Sequence, residues 1–373
     1  MDKHLHIVTH DVPWPADFGG VYDLFHKIRA LHAQGVKVHL HCFTGKRPPQ
    51  KALDQFCESV HYYQRKSKRS SFSLQLPYIV SSRTDAALLR NLQADNHPIL
   101  LEGIHCTYWL YRGQLTGRKV FVRLHNTEHL YYRSLFRHEA DFFRKAYFWM
   151  ESRLLKRYEK KIAGMAIFLA VSEDDARYYT DKLGARDVRF LPVFLPWDEP
   201  AEAKGRGCYC LYHGNLGISE NEKVAEWLLN QVFNQLEIPF VVAGKNPSHP
   251  LQALAHSRPH TCIVVDPGER EMQDMIGKAH VHILPSFNQT GVKLKLMNAL
   301  FNGKFCLTNQ AGITGSGLEG LCQLAETPEE FRKAIARLFD IEYTTEQFLQ
   351  RKEKLEKLYS NQYNAQKLIS WIY

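Results

Sequence analysis

Short apolar runs alternate with amphipathic stretches from the N-terminus onward, and past the middle of the chain the alternation begins afresh. Residues 5–9 (LHIVT) and 36–43 (VKVHLHCF) read as strands, the second with period two, and residues 18–33 between them read as an amphipathic helix. Such a βαβ opening implies a parallel pair joined by a right-handed crossover. The connection HDVPWPADFGG, with Pro13, Pro15, Gly19 and Gly20, then lies at the C-terminal end of the first strand, the edge where doubly wound sheets bind ligands. Further strands are expected at 98–102, 119–124 and 167–171. Residues 191–207 hold three prolines, two glycines and mixed charge, the composition of a linker. Beyond it strands recur at 208–213, 239–243, 261–265, 280–284 and 304–308, separated by helical stretches at 220–236, 269–279 and 291–302. Two α/β domains in tandem follow, in accord with a length of 373 residues at about 150 per domain.

Composition narrows the function classes. With 45% hydrophobic and 23% charged residues the chain is not of the disordered class. A net charge of +9 favours anionic partners: nucleotides, nucleic acid or anionic lipid headgroups. The eight cysteines form no CxxC pair, which argues against a zinc ribbon or a disulfide framework, and Cys208 and Cys210 read as same-face core residues of one strand. The opening MDKHLHIVTH does not read as a signal peptide and no stretch reaches about 20 apolar residues, so the expected location is the cytoplasm.

The stretch LPSFNQTGVKLKLMNALFNG, 284–303, joins a strand end, a turn at Gly291 and a helix start carrying Lys293 and Lys295. Free amides and the helix dipole already favour an anion there, and two lysines would concentrate the effect into a phosphate site. The other reading is a solvated helix face. Residues 131–161 interleave basic and aromatic residues, which fits either a long helix with an aromatic core face and a wet basic face, or an interfacial segment on an anionic membrane.

These segments together resemble glycosyltransferase family four, also called glycosyl transferases group one. The 284–303 stretch is similar to the donor-binding domain of that family. HDVPWPADFGGVYDLFHKIRALHAQGVKVHLHCF is similar to its opening strand, glycine loop and helix; RLHNTEHLYYRSL, 123–135, to its HN segment; VSEDDARYYTDKLG, 171–184, to its VSE helix; and YHGNLGISEN, 212–221, to the start of its second domain. The resemblance implies the GT-B fold: two tandem Rossmann-like domains, 1–195 and 196–355, facing each other across a cleft, with a C-terminal helix at 356–373 crossing back to the first. It implies a glycosyltransferase that moves a sugar from a nucleotide-diphosphate sugar to a saccharide or lipid-linked glycan, with retention, in surface polysaccharide or glycan biosynthesis. The protein would then work in the cytoplasm or at the inner face of the cell membrane, with peripheral attachment to anionic lipid, no nucleic-acid partner, and no cofactor or metal strictly required.

By the same resemblance His125, Lys293 and Lys295 are the catalytic candidates. Gly19, Gly20, Gly214, Asn215, Gly244, Lys245, Thr290, Gly291, Val292 and Asn298 would bind the donor, and Asn126 and Glu128 the acceptor. Family members carry a Glu-x7-Glu pair where this chain has Thr290 and Asn298. An Asn can still bond ribose hydroxyls, whereas Thr offers one hydroxyl. The alternative function is therefore a catalytically weakened GT-B protein that binds a nucleotide sugar or glycan without transfer.

Overall fold

The computed structural model describes residues 2–373 apart from 17, 18, 46, 68, 69, 140, 289 and 290. It comprises two units, Met1–Pro196 together with Tyr359–Tyr373, and Trp197–Leu358.

Among the described residues the sheet of the first unit contains β1 (Lys3–Thr9), β2 (Val36–Thr44), β3 (Ser59–Gln64), β4 (Ile99–Glu102), β5 (Val120–Leu124), β6 (Ile167–Ala170) and β7 (Val188–Phe190). Their order is β3-β2-β1-β4-β5-β6-β7 and every pairing is parallel. The order reverses between β1 and β4, so the loops leaving those two strands part and leave a crevice at the C-terminal edge. β4 and β5 are buried along their whole length, as strands covered on both faces must be. On one face α1 (Gly19–Ala33) sets Phe25, Ile28 and Leu31 against Leu5, Ile7, Val38 and Leu40. The last helix, α7 (Asn361–Ile372), joins that core through Ala365, Leu368, Ile369 and Ile372. Asn361 also clamps Leu195, donating to its carbonyl at 2.7 Å and accepting from its amide at 3.0 Å. The other face is covered by α2 (Glu128–His138), α3 (Phe142–Ile162) and α4 (Glu173–Leu183).

Three expectations change here. The 131–161 stretch is two helices, not one: Asp141 caps α3, its carboxylate accepting the Arg144 amide at 2.8 Å. The buried face of α3 is Glu151, Leu154, Leu155, Tyr158, Glu159 and Ile162, whereas Phe142, Phe143 and Trp149 are 76%, 81% and 46% exposed, so apart from Tyr158 its core face is not the aromatic one. The segment read as linker begins buried: Leu191, Phe194 and Leu195 are fully enclosed in the first unit, because the Leu191 and Pro192 carbonyls accept from Arg123.

The second unit repeats the plan. Its described strands are β8 (Cys210–Asn215), β9 (Phe240–Lys245), β10 (Thr261–Val265), β11 (Val281–Ile283), β12 (Phe305–Thr308) and β13 (Gln323–Leu324), in the parallel order β10-β9-β8-β11-β12-β13. The reversal lies between β8 and β11. The 220–236 stretch is α5 (Ser219–Trp227), a π turn over Leu228–Val232 and a short 3-10 turn. The helix expected from 291 is α6, Leu294–Asn302, with Lys293 as its N-cap. Cys210 is buried but Cys208 is exposed, which overturns their pairing as core residues: the strand starts at Cys210, and Cys208 precedes it. Among the described residues no helix is long and apolar enough to cross a membrane.

Candidate active site

β1, β4 and β5 lie side by side, so their C-terminal ends bring His10, Glu102, Arg123 and His125 toward the start of α1. Asp23 and Lys27, one helical turn apart on α1, point inward and are buried. Asp23 accepts from Arg123 Nε at 3.0 Å, Arg123 Nη2 at 2.9 Å, Lys27 Nζ at 2.9 Å and the Phe194 amide at 2.8 Å. Lys27 also donates to Glu102 Oε1 at 2.6 Å. Two cations thus face two carboxylates, the pairing that ions removed from water require. Burial pushes the Asp23 carboxyl up, but the charges of Arg123 and Lys27 outweigh it and hold the group well below the usual carboxylate range. Glu102 is held down in the same way, by Lys27 first and His125 second, against burial.

His125 closes this network toward solvent. Its side chain is 16% exposed against 0–3% for the two carboxylates, with Nε2 at 3.2 Å from Glu102 Oε2 and Nδ1 at 3.8 Å from Asp23 Oδ2. Neither His125 Nε2 nor Glu102 Oε2 meets hydrogen-bond geometry, and His10 Nδ1 and His105 Nδ1 beside them have no partner among the described residues. The His10 ring lies 4.9 Å from that of His105 and 6.1 Å from that of His125. Loss of solvent, with Arg83 and His125 adding to it, pushes His10 down to about 3, and desolvation holds His105 well below its ordinary value. Both rings are therefore neutral at pH 7. The unpartnered His10 Nδ1 and His105 Nδ1, beside the His125–Glu102 pair, are polar atoms to which a polar ligand could bond. Arg83 stands behind them, donating to the His10 and Ile79 carbonyls at 3.1 and 2.6 Å.

The loop after β5 is stitched to α3 and α4. The Glu159 carboxylate accepts the Glu128 and His129 amides at 2.9 and 3.4 Å, Tyr179 Oη at 2.9 Å and the His129 ring, an anion set at the N-terminus of α2. Thr127 Oγ1 donates to Asp175 at 2.6 Å, and Ser172 caps α4 by accepting the Asp175 amide at 3.0 Å. Asn126 is half-exposed, while Glu128 is buried. Burial, then the nearby Glu159 charge, pushes Glu128 up to about 8, so at neutral pH it carries a proton and offers a donor. Gly19 and Gly20 open α1 beside undescribed residues 17 and 18.

In the second unit β8 and β9 end on Gly214-Asn215 and Gly244-Lys245, which are register partners. A Cβ on Gly244 would lie 1.8 Å from the Gly214 carbonyl oxygen, so only glycine fits there. The Asn215 side chain accepts the Gly217 amide at 3.1 Å, and Lys245 is exposed at the strand tip. Gly291, at φ 66°, turns the chain into α6. Val292 is half-buried, and Lys293 Nζ donates to the Gly291 carbonyl at 3.0 Å. Lys295 points inward: Nζ donates to Tyr212 Oη at 3.3 Å and Asn221 Oδ1 at 3.2 Å, and sits 4.8 Å from the Tyr212 ring centroid. Among the described residues no carboxylate reaches ion-pair distance of it. Burial pulls its ammonium down to about 8, Glu220 opposing and Lys293 adding to the fall. The Asn298 carboxamide accepts from Asn302 Nδ2 at 2.8 Å. Thr290 lies outside the described residues.

Residues 207–340 match the family described as glycosyl transferases group 1. Residues 207–340 form a glycosyltransferase domain, and the chain has the GT-B fold. Over 385 aligned residues this glycosyltransferase is 25% identical to an uncharacterized 44.6 kDa protein in the cps region of Klebsiella pneumoniae, covering 95% of this chain and 97% of the relative. A glycosyltransferase from Rickettsia africae superposes with a TM-score of 0.66 at 12% identity, covering 100% of this chain and 98% of that one. An α,α-trehalose-phosphate synthase (UDP-forming) from Burkholderia xenovorans, in complex with glucose-6-phosphate, gives 0.64 at 10% identity with 99% of each chain covered.

Sequence reasoning missed four groups of the glycosyltransferase that its structure brings together. Asp23 and Lys27 look like polar-face residues of a helix, and Glu102 and Arg123 like strand-end punctuation. The one signal was Arg123 inside an otherwise apolar strand, since a guanidinium buried there needs a carboxylate.

Proposed function

We propose that this glycosyltransferase moves a sugar from a nucleotide-diphosphate sugar to a saccharide or lipid-linked glycan, with retention of anomeric configuration, in surface polysaccharide biosynthesis. The observation that carries the reading is Lys295: a part-buried ammonium with neutral partners, in the first turn of a helix that starts at the C-terminal edge of a Rossmann sheet. Departure of a nucleoside diphosphate builds negative charge on phosphate oxygens. A preorganised cation and free amides stabilise that charge more than the ground state. Lys293 and Lys295 take this role, Gly214, Gly244 and Gly291 allow close backbone approach, and Asn215, Lys245, Val292 and Asn298 line the donor. On the first unit, His125 with neutral His10 and His105 offers polar atoms to sugar hydroxyls, Asn126 and protonated Glu128 serve the acceptor, and Gly19 and Gly20 serve the diphosphate. The acceptor hydroxyl attacks from the leaving-group side, so no pair of enzymic carboxylates is needed.

Two findings support the acceptor class. The Klebsiella pneumoniae relative is named for a cps region. The exposed Phe142, Phe143 and Trp149 lie in sequence among Arg144, Lys145 and Arg153, and the Arg153 guanidinium covers the Trp149 ring at 4.2 Å. That pairing of aromatic and basic groups suits a peripheral position on an anionic leaflet facing the cytoplasm.

A second reading, binding without transfer, has one observation in its favour: Asn298 stands in place of a carboxylate and is engaged by Asn302. Incubation with UDP- and GDP-sugars, with and without a membrane lipid extract, separates the two. Transfer predicts acceptor-dependent release of nucleoside diphosphate, cut about tenfold or more by Lys295→Met. Saturable nucleotide-sugar binding with no release would overturn transfer, and absence of both would overturn either reading.

A further inference from the structure

The edge of the first sheet opposite His125 carries a different chemistry. His4 and His6 on β1, His39 and His41 on β2, His61 on β3 and His97 just before β4 gather six imidazoles there. The register explains it: His6 pairs with His39 and His41 with His61, and parallel partners project to one face. Three of these rings converge, with the ligand nitrogens of His4, His39 and His97 all within 4.8 Å of one another. His4 Nδ1 and His39 Nε2 are 2.9 Å apart, within hydrogen-bond distance, with the tautomers deciding which donates.

The ring spacing can be compared with what an ion would impose. A zinc–nitrogen distance of about 2.0–2.1 Å places each imidazole centre about 3.2 Å from the metal, so tetrahedral angles set the centres about 5.2 Å apart. The observed separations are 5.2 Å for His4–His39, 4.6 Å for His4–His97 and 5.8 Å for His39–His97. The outer partners are also in place. Ser59 Oγ bonds His39 Nδ1 at 2.9 Å, which leaves Nε2 facing the centre. Asp95 accepts the His97 amide at 2.9 Å, and its Oδ2 lies 4.0 Å from His97 Nε2. All three imidazoles are partly exposed, so an ion has an entry path.

We propose that His4, His39 and His97 bind one borderline divalent transition-metal ion, of which Zn²⁺ is the representative, with water completing the coordination. Three nitrogen donors exclude Mg²⁺ and Ca²⁺, which take oxygen ligands. Along β1 the six steps from His4 to His10 rise about 3.3 Å each, so the ion sits about 20 Å from the His10–His125 cluster. It has no part in sugar transfer. It ties together β1, β2 and the entry to β4, and so stabilises the first unit by binding only the folded chain.

The test uses the full chain without a polyhistidine tag, stripped by a chelator and titrated calorimetrically with ZnSO₄. One site of micromolar affinity or tighter is expected at about pH 7.5, with proton release, a higher Tm, and weakening by about tenfold or more at about pH 5.5. His39→Ala and His97→Ala should each weaken binding at least about tenfold, while His61→Ala, on the same face outside the triad, should not. His97 precedes its strand, so that variant carries the test if His39→Ala does not fold. Visible bands of four-coordinate Co²⁺, lost in His97→Ala, would agree. Absence of a stoichiometric site in the wild-type chain, or a site that survives both replacements, would overturn the proposal.

Discussion

The C-terminal edges of the two sheets are built on the same strand order yet spend charge in opposite ways. In the first unit Lys27 and Arg123 are matched by Asp23 and Glu102, every ion buried and bonded to its counterion. In the second, the partners of Lys295 among the described residues are a phenol and a carboxamide, and its own environment pulls its pKa down to about 8. A matched network is a scaffold: it fixes α1, β4 and β5 and presents His125. An unmatched cation is held at a cost that an incoming anion relieves, which is how a binding site differs from a structural ion pair. Fold symmetry therefore does not carry functional symmetry.

The contrast breaks most visibly in the first unit. Asp23→Ala leaves Lys27 and Arg123 buried without their shared carboxylate and is expected to cost about 3–5 kcal/mol of unfolding free energy, read by denaturant titration. The sign of its pH dependence follows from the depressed carboxyl: the stability is present above the unfolded value of about 4 and is lost as pH falls through that region toward the folded value. A wild-type chain whose acid unfolding is unchanged by the substitution would show that the network is not a scaffold.

A smaller effect is expected at the other edge. Gly244→Ala drives a methyl into the Gly214 carbonyl and should cost about 1–3 kcal/mol, with weaker nucleotide binding because both strand tips move. Thermal denaturation and nucleotide titration of one sample measure both consequences.

Much of this was legible beforehand, and the gaps have physical causes. The principal strands and helices follow apolar periodicity, and the glycines at 214, 244 and 291 fall at the C-terminal strand ends and the turn into α6. β3, a half-buried sheet-edge strand, and β7 and β13, three and two residues long, leave too little pattern to read. Cys208 read as core because spacing alone does not say where a strand starts. The Asp23–Arg123 pairing spans 100 residues and exists only once β5 lies beside β4 and α1 folds over them. The HN segment singles out His125, which the structure sets beside Asp23 and Glu102, whereas its neighbours His10, His105 and Arg83 carry no local signature.

Glu128→Gln gives the smallest expected change and sharpens the role of the α2 entry. A carboxyl whose folded pKa is raised to about 8 destabilises the native state progressively as pH rises above the unfolded value of about 4.5. The amide should therefore raise Tm by a few degrees at about pH 7.5 and leave it unchanged near pH 4. A lower Tm at the higher pH would mean that Glu128 is ionised and paired.

Calorimetric titration of the wild-type chain and Lys295→Met with UDP and GDP across about pH 6.5–9.5 bears on the central claim most directly. The account predicts saturable binding of at least one nucleotide that weakens as pH rises through about 8, where Lys295 loses its proton, and a variant at least about tenfold weaker below that pH with no such alkaline loss. Binding by the variant equal to the wild type at every pH would contradict it.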